Sequence, residues 1–154
     1  MSTQSPTLLA KLKNVLLGFI VLFVWMLAVN HFLNFLYPAT VPPIDSSDAP
    51  PPFLWELFFT IIWPPIWEEL VFRHAPGLIV KRLDSKFILP VMIISSFIFA
   101  NGHSSGTQLN VLRQGVMGMI LFYVYLKNGY SYWSSLLLHI SWNAFVFFSP
   151  DAIW

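Results

Sequence analysis

The sequence predicts an all-α fold, a polytopic transmembrane helical bundle of about five membrane helices. Three observations predict it. Of 154 residues, 56% are hydrophobic and only 10% are charged, against about 25% charged in a soluble domain. The mean hydropathy is +0.67, and 15 Phe, 7 Trp and 5 Tyr exceed what one small core hides from water, so membrane lipids must cover the surplus. The apolar residues also gather into long runs divided by short polar stretches. A net charge of +1 provides no field for drawing in nucleic acid, which is excluded as a partner. The absence of Cys removes disulfides, thiolate nucleophiles and cysteine-ligated zinc together.

The first segment spans residues 15–37, almost unbroken apolar and long enough as a helix to cross a bilayer. The polar residues before it are few and no small-residue cleavage site follows, so a retained span is expected rather than a signal peptide. Residues 38–52 hold six of the twelve prolines with Asp45 and Asp48 and predict an exposed loop. These first 52 residues form an N-terminal unit of one span and a Pro-rich loop; residues 53–154 form the second unit. The second segment, 53–80, contains Pro64 and Pro65, where a kink or broken turn is expected. The third (87–100) and fourth (111–126) are short for independent spans and are expected to lean on neighbours. The fifth, 130–149, is aromatic at both ends, as suits the two interfaces.

Lysines and arginines border alternate ends of these segments: Lys11 and Lys13, then Lys81, Arg82 and Lys86, then Lys127. The positive-inside rule therefore puts the N-terminus in the cytoplasm and the C-terminus outside; a multi-pass protein of a prokaryotic plasma membrane is expected. Glu56 and Arg113, near span ends, are expected to snorkel.

Ionisable residues within the spans carry the information, because a charge at membrane depth survives only with a partner or in a wet cavity. Glu69 and Arg73 are four apart, share a helix face and can pair, a role that supports the fold. Glu68 points about 100° away from that face and has no partner nearby in sequence, so a distant element must accommodate it; a carboxyl in such surroundings suits a general base. His139 and Asn143, also four apart, aim two hydrogen-bond donors at one point and could hold an oxyanion, though an interhelical hydrogen bond is the commoner use. His103 follows the third segment in a glycine-flanked stretch whose irregular backbone should line a cavity. Counting about 1.5 Å per residue from the basic borders brings Glu68, His103 and His139 to one level, roughly 18 to 25 Å deep.

Three motifs in series include these residues: Glu68-Glu69-Leu70-Val71-Phe72-Arg73 (EExxxR), Phe99-Ala100-Asn101-Gly102-His103 (FxxxH) and His139-Ile140-Ser141-Trp142-Asn143 (HxxxN). In them the chain resembles the CPBP family of intramembrane endopeptidases, the CAAX protease and bacteriocin-processing or Abi group that includes the Ras-converting CAAX endopeptidases. The resemblance implies that residues 53–154 are a catalytic membrane domain. In it Glu68 and His103 activate a water, His139 and Asn143 stabilise the oxyanion, and Glu69 and Arg73 brace the site. The substrate would be a membrane-associated peptide or protein, lipidated or bacteriocin-like. Arg73 is followed by His74-Ala75-Pro76 where many members have glycine and an apolar run, so the helix is expected to end or bend early.

No cofactor is expected. The alternative is a divalent metal such as zinc on Glu68, His103 and His139, although no HExxH helix is present. The competing functions are a non-catalytic immunity or scaffold protein of the same fold and, ranked last, a proton-coupled transporter, which lacks the expected broken-helix repeat.

Overall fold

The computed structural model describes residues 5–36, 53–103 and 108–149. The Pro-rich loop expected at 38–52 and the stretch Ser104–Gly106 lie outside the described residues. Five helical rods form, and no strand occurs among the described residues.

The first rod, α1, is Leu8–Leu36, beginning seven residues before the expected start, because Leu8, Leu9 and Leu12 extend the apolar face past the lysines. The second, α2, runs through residues 53–80 as α-helical pieces Phe53–Leu57, Trp63–Glu69 and Ala75–Val80 joined by π-helical turns Phe58–Ile62 and Leu70–His74. Next come α3 (Ile88–Gly102), α4 (Gln108–Lys127) and α5 (Tyr132–Phe148). Two helical stretches, Leu8–Phe32 and Ser85–Gly102, are long and apolar enough to cross a membrane, and only 22% of each is buried. The core helix of a soluble protein would be mostly covered. Here side chains such as Leu16, Phe97 and Ile98 stay more than half exposed, a surface suited to lipid.

The two π-turns explain how α2 survives its prolines. Trp63 N–H donates to Phe58 and Ala75 N–H to Leu70, each reaching back five residues. A proline follows directly in both cases, Pro64 and Pro76. Proline lacks the N–H that would serve the carbonyl four residues upstream, and its ring crowds that carbonyl; a widened turn relieves the crowding. The carbonyls freed include those of Thr60 and Phe72. Asn143 Nδ2–H of α5 donates to Thr60 at 3.2 Å, and the Ser95 hydroxyl of α3 donates to Phe72. Of the two outcomes expected after Arg73, an end or a bend, the helix does not end: it passes through the π-turn Leu70–His74 and continues to Val80. The break expected at Pro64-Pro65 takes the form of a π-turn just before them.

The core, Leu22 and Met26 of α1, Phe99 of α3, Met117, Leu121 and Val124 of α4, and Leu138 and Trp142 of α5, lies where four rods meet. Where α3 crosses α4, a Cβ on Gly118 would come within 3.0 Å of Ser96 Cβ and 3.2 Å of its Cα, so glycine permits a close approach that a side chain would push apart by a few tenths of an ångström. At one end Asn14 Nδ2–H donates to Asn128 Oδ1 at 2.6 Å, Asn128 Nδ2–H to the Lys11 carbonyl, and Lys81 lies over the Tyr130 ring. That end gathers the lysines.

Candidate active site

The block of α2 between its two proline breaks carries Glu68, Glu69 and Arg73, and ties to α3 and α5 hold both its ends. A third tie, Tyr132 Oη–H to the Ile66 carbonyl at 2.9 Å, fixes its middle. Successive residues of a helix point about 100° apart, and the two glutamates use that difference.

Glu69 turns inward. It is fully buried; its Oε1 accepts His139 Nδ1–H at 2.8 Å and lies 3.5 Å from Arg73 Nε. Arg73, equally buried, leaves Nη1 and Nη2 without hydrogen-bond partners, and its guanidinium carbon sits 4.1 Å from the centroid of the Phe99 ring. A guanidinium over an aromatic face is attracted by the ring's quadrupole. The pair expected from the sequence is therefore formed, and it holds His139 as well, a contact that the i, i+4 rule on one helix cannot foresee.

Glu68 turns the other way. Its Oε1 is 3.2 Å from His103 Nε2 and its Oε2 is 3.5 Å from His139 Nε2, so the carboxylate stands between imidazoles from two other helices. His103, at the C-terminus of α3, is held by its other nitrogen: Nδ1–H donates to the Phe99 carbonyl at 2.9 Å, one helical turn back. The four-residue interval of Phe99-x-x-x-His103 is what that bond requires. Both imidazoles thus commit Nδ1 to an acceptor and present Nε2 to the same carboxylate. Glu68 is 18% exposed and His103 35%, whereas His139 is 2% exposed.

These groups face a cavity of about 690 Å³ lined by Glu68, His103, His139 and Asn143, with Phe99, Met117 and Trp142 among its apolar walls. Thr60 and Pro64 line it too, so the Asn143 amide is anchored at the cavity surface. All four residues expected at the site meet there. Asn143 differs in one respect from the expectation: one donor is already engaged by Thr60. Ser95 and Tyr132, which hold the carboxylate block, were not singled out by sequence reasoning; for Ser95 the missed signal was the proline at 76 with a carbonyl to satisfy, and for Tyr132 there was none. Glu56, expected to snorkel, lines the same cavity. His74 pairs with Tyr125 Oη across 3.4 Å, away from the site. Among the described residues no group of three His, Asp or Glu side chains is disposed to hold a metal ion.

The fold and this cluster define a polytopic helical membrane protein built around a carboxylate and imidazole network. A family model described as Type II CAAX prenyl endopeptidase Rce1-like matches residues 50–145, and the chain belongs to that family, within the CAAX protease group. Membership implies a membrane-embedded protease with a peptide or protein substrate. The match begins just before α2 and includes all three motifs. No curated protein and no solved structure matches the chain.

Proposed function

We propose that the chain is an intramembrane endopeptidase that hydrolyses a peptide bond without a covalent intermediate and without a metal. The observation that carries this reading is the Glu68 carboxylate facing His103 Nε2 at 3.2 Å and His139 Nε2 at 3.5 Å in the wall of a 690 Å³ cavity. A water held beside the Glu68–His103 pair, in reach of both, is polarised by them; Glu68 accepts its proton as the oxygen attacks the scissile carbonyl, and passes that proton to the leaving amine. The tetrahedral oxyanion accepts hydrogen bonds from the second N–H of Asn143 and from Nε2–H of His139 when that imidazole carries both protons. Glu69 orients that imidazole through Nδ1 and is itself balanced by Arg73.

The substrate is a membrane-associated peptide or protein, lipidated or bacteriocin-like. The lysine-bearing end faces the cytoplasm, by the charge asymmetry of the loops.

The test is incubation of purified protein and its Glu68→Gln variant with a peptide library, with products read by mass spectrometry. Cleavage by the wild type alone is expected; equal products from both remove Glu68 from the chemistry.

A further inference from the structure

Along α2 the cavity wall is made by Glu56, Thr60, Pro64 and Glu68, spaced four residues apart and so stacked on one face of the rod. Only the two ends of this stripe are acidic. The imidazoles account for Glu68, whereas Glu56 is exposed, makes no ion pair among the described residues and has no part in the chemistry above. Lys11, Lys81 and Lys127 gather at the opposite end of the bundle, and Arg113 does not line the cavity. An acid at the rim of a largely apolar cavity, with no ion-pair partner among the described residues, complements a positive charge brought by whatever enters.

We propose that Glu56 selects the substrate by receiving a lysine or arginine side chain of an extended peptide whose scissile bond lies at Glu68. The inference rests on the protease reading and adds a substrate class to it. Twelve helical residues separate the two acids, roughly 18 Å at about 1.5 Å per residue. An extended peptide advances about 3.3 Å per residue, so the basic residue sits about five positions from the bond that is cut. The residues between face Phe59, Met117 and Trp142 and are apolar. The favoured substrate is thus an apolar stretch that leaves the membrane at a basic residue.

The test uses full-length protein in non-ionic detergent and quenched fluorescent peptides with an apolar centre. Lys, Gln or Glu is placed in turn at three to seven positions on either side of the cut. A Lys near position five on one side is expected to raise kcat/KM about fivefold over Gln, the size of a partly exposed ion pair, and added salt should reduce the gain. Glu56→Gln abolishes the preference and Glu56→Lys reverses it in favour of the Glu peptide. A Lys preference that survives Glu56→Gln, or no positional preference in the wild type, overturns the proposal. If the wild type cleaves none of the peptides, the protease reading fails, and fluorescence anisotropy of the same peptides on Glu68→Gln protein decides separately. A Lys preference lost in Glu56→Gln/Glu68→Gln upholds Glu56 as the selecting residue; equal binding of Lys and Gln peptides overturns it.

Discussion

Asn143 and Thr60 are joined by a hydrogen bond that exists because Pro64, four residues after Thr60, has no N–H to give its carbonyl. A break in one helix thereby orients a side chain of another at the cavity surface. The bond uses one of the two N–H groups of the carboxamide and leaves the second for a developing negative charge.

This dual use separates in a double-mutant cycle. Asn143→Ala removes the tie to the exposed Thr60 carbonyl, at a cost of about 0.5–1.5 kcal/mol, and removes an oxyanion donor, worth about 10²–10³ in kcat. In a Pro64→Ala background the new backbone N–H takes the carbonyl. Thermal unfolding in detergent should then show a smaller loss on Asn143→Ala, while the loss in kcat stays the same. Recovery of kcat in the double variant would make Asn143 a purely structural tie.

The second proline break makes a parallel prediction without chemistry. Ser95→Ala leaves the Phe72 carbonyl unserved, whereas Pro76→Ala supplies a backbone N–H in reach of it. The Ser95→Ala destabilisation should be at least ~1 kcal/mol smaller in the Pro76→Ala background than in the wild type, as coupled neighbours are non-additive. Equal shifts in melting temperature in both backgrounds would show that the hydroxyl does not serve that carbonyl.

Much of this was legible in the sequence because lipid makes polar residues conspicuous. Glu68, His103 and His139 stand out in apolar runs, and axial counting brings them to one depth. The Glu69 and Arg73 pair follows from helical spacing alone. What stayed hidden depends on tertiary partners. Ser95 reads as an ordinary small residue in a span until α3 is seen against Phe72, and Glu69 gives no sign in sequence that it reaches His139 seventy residues away. The second segment was legible to Val80, but the form of its bend after Arg73 was not: Pro76 stops a helix only when nothing else satisfies the carbonyl it frees. Glu56 looked like a span end because its position on the stripe with Thr60, Pro64 and Glu68 acquires meaning only once that face borders a cavity.

The metal-free mechanism predicts that hydrolysis by purified protein survives prolonged treatment with a strong chelator and that added zinc does not raise it. Loss of activity on chelation, restored by a divalent ion, would instead make Glu68, His103 and His139 metal ligands.

The adjacent glutamates should fail in opposite ways, and that contrast is the sharpest check on the site. Glu68 is 18% exposed at the cavity surface, so Glu68→Gln keeps the fold and lowers the hydrolysis rate by about 10²–10⁴, the usual worth of a general base. Glu69 is fully buried and is the carboxylate in contact with Arg73. Glu69→Gln leaves that guanidinium short of its counter-charge, a loss of about 3–5 kcal/mol for a broken buried pair. It also removes the charged acceptor that orients His139. The expected result is low yield and a lowered melting temperature, partly recovered by adding Arg73→Met, which removes the stranded cation but leaves His139 without its orienting carboxylate. The double variant should therefore fold better than Glu69→Gln and still cleave poorly. Full activity in Glu69→Gln at wild-type stability would mean that neither Arg73 nor His139 depends on that carboxylate.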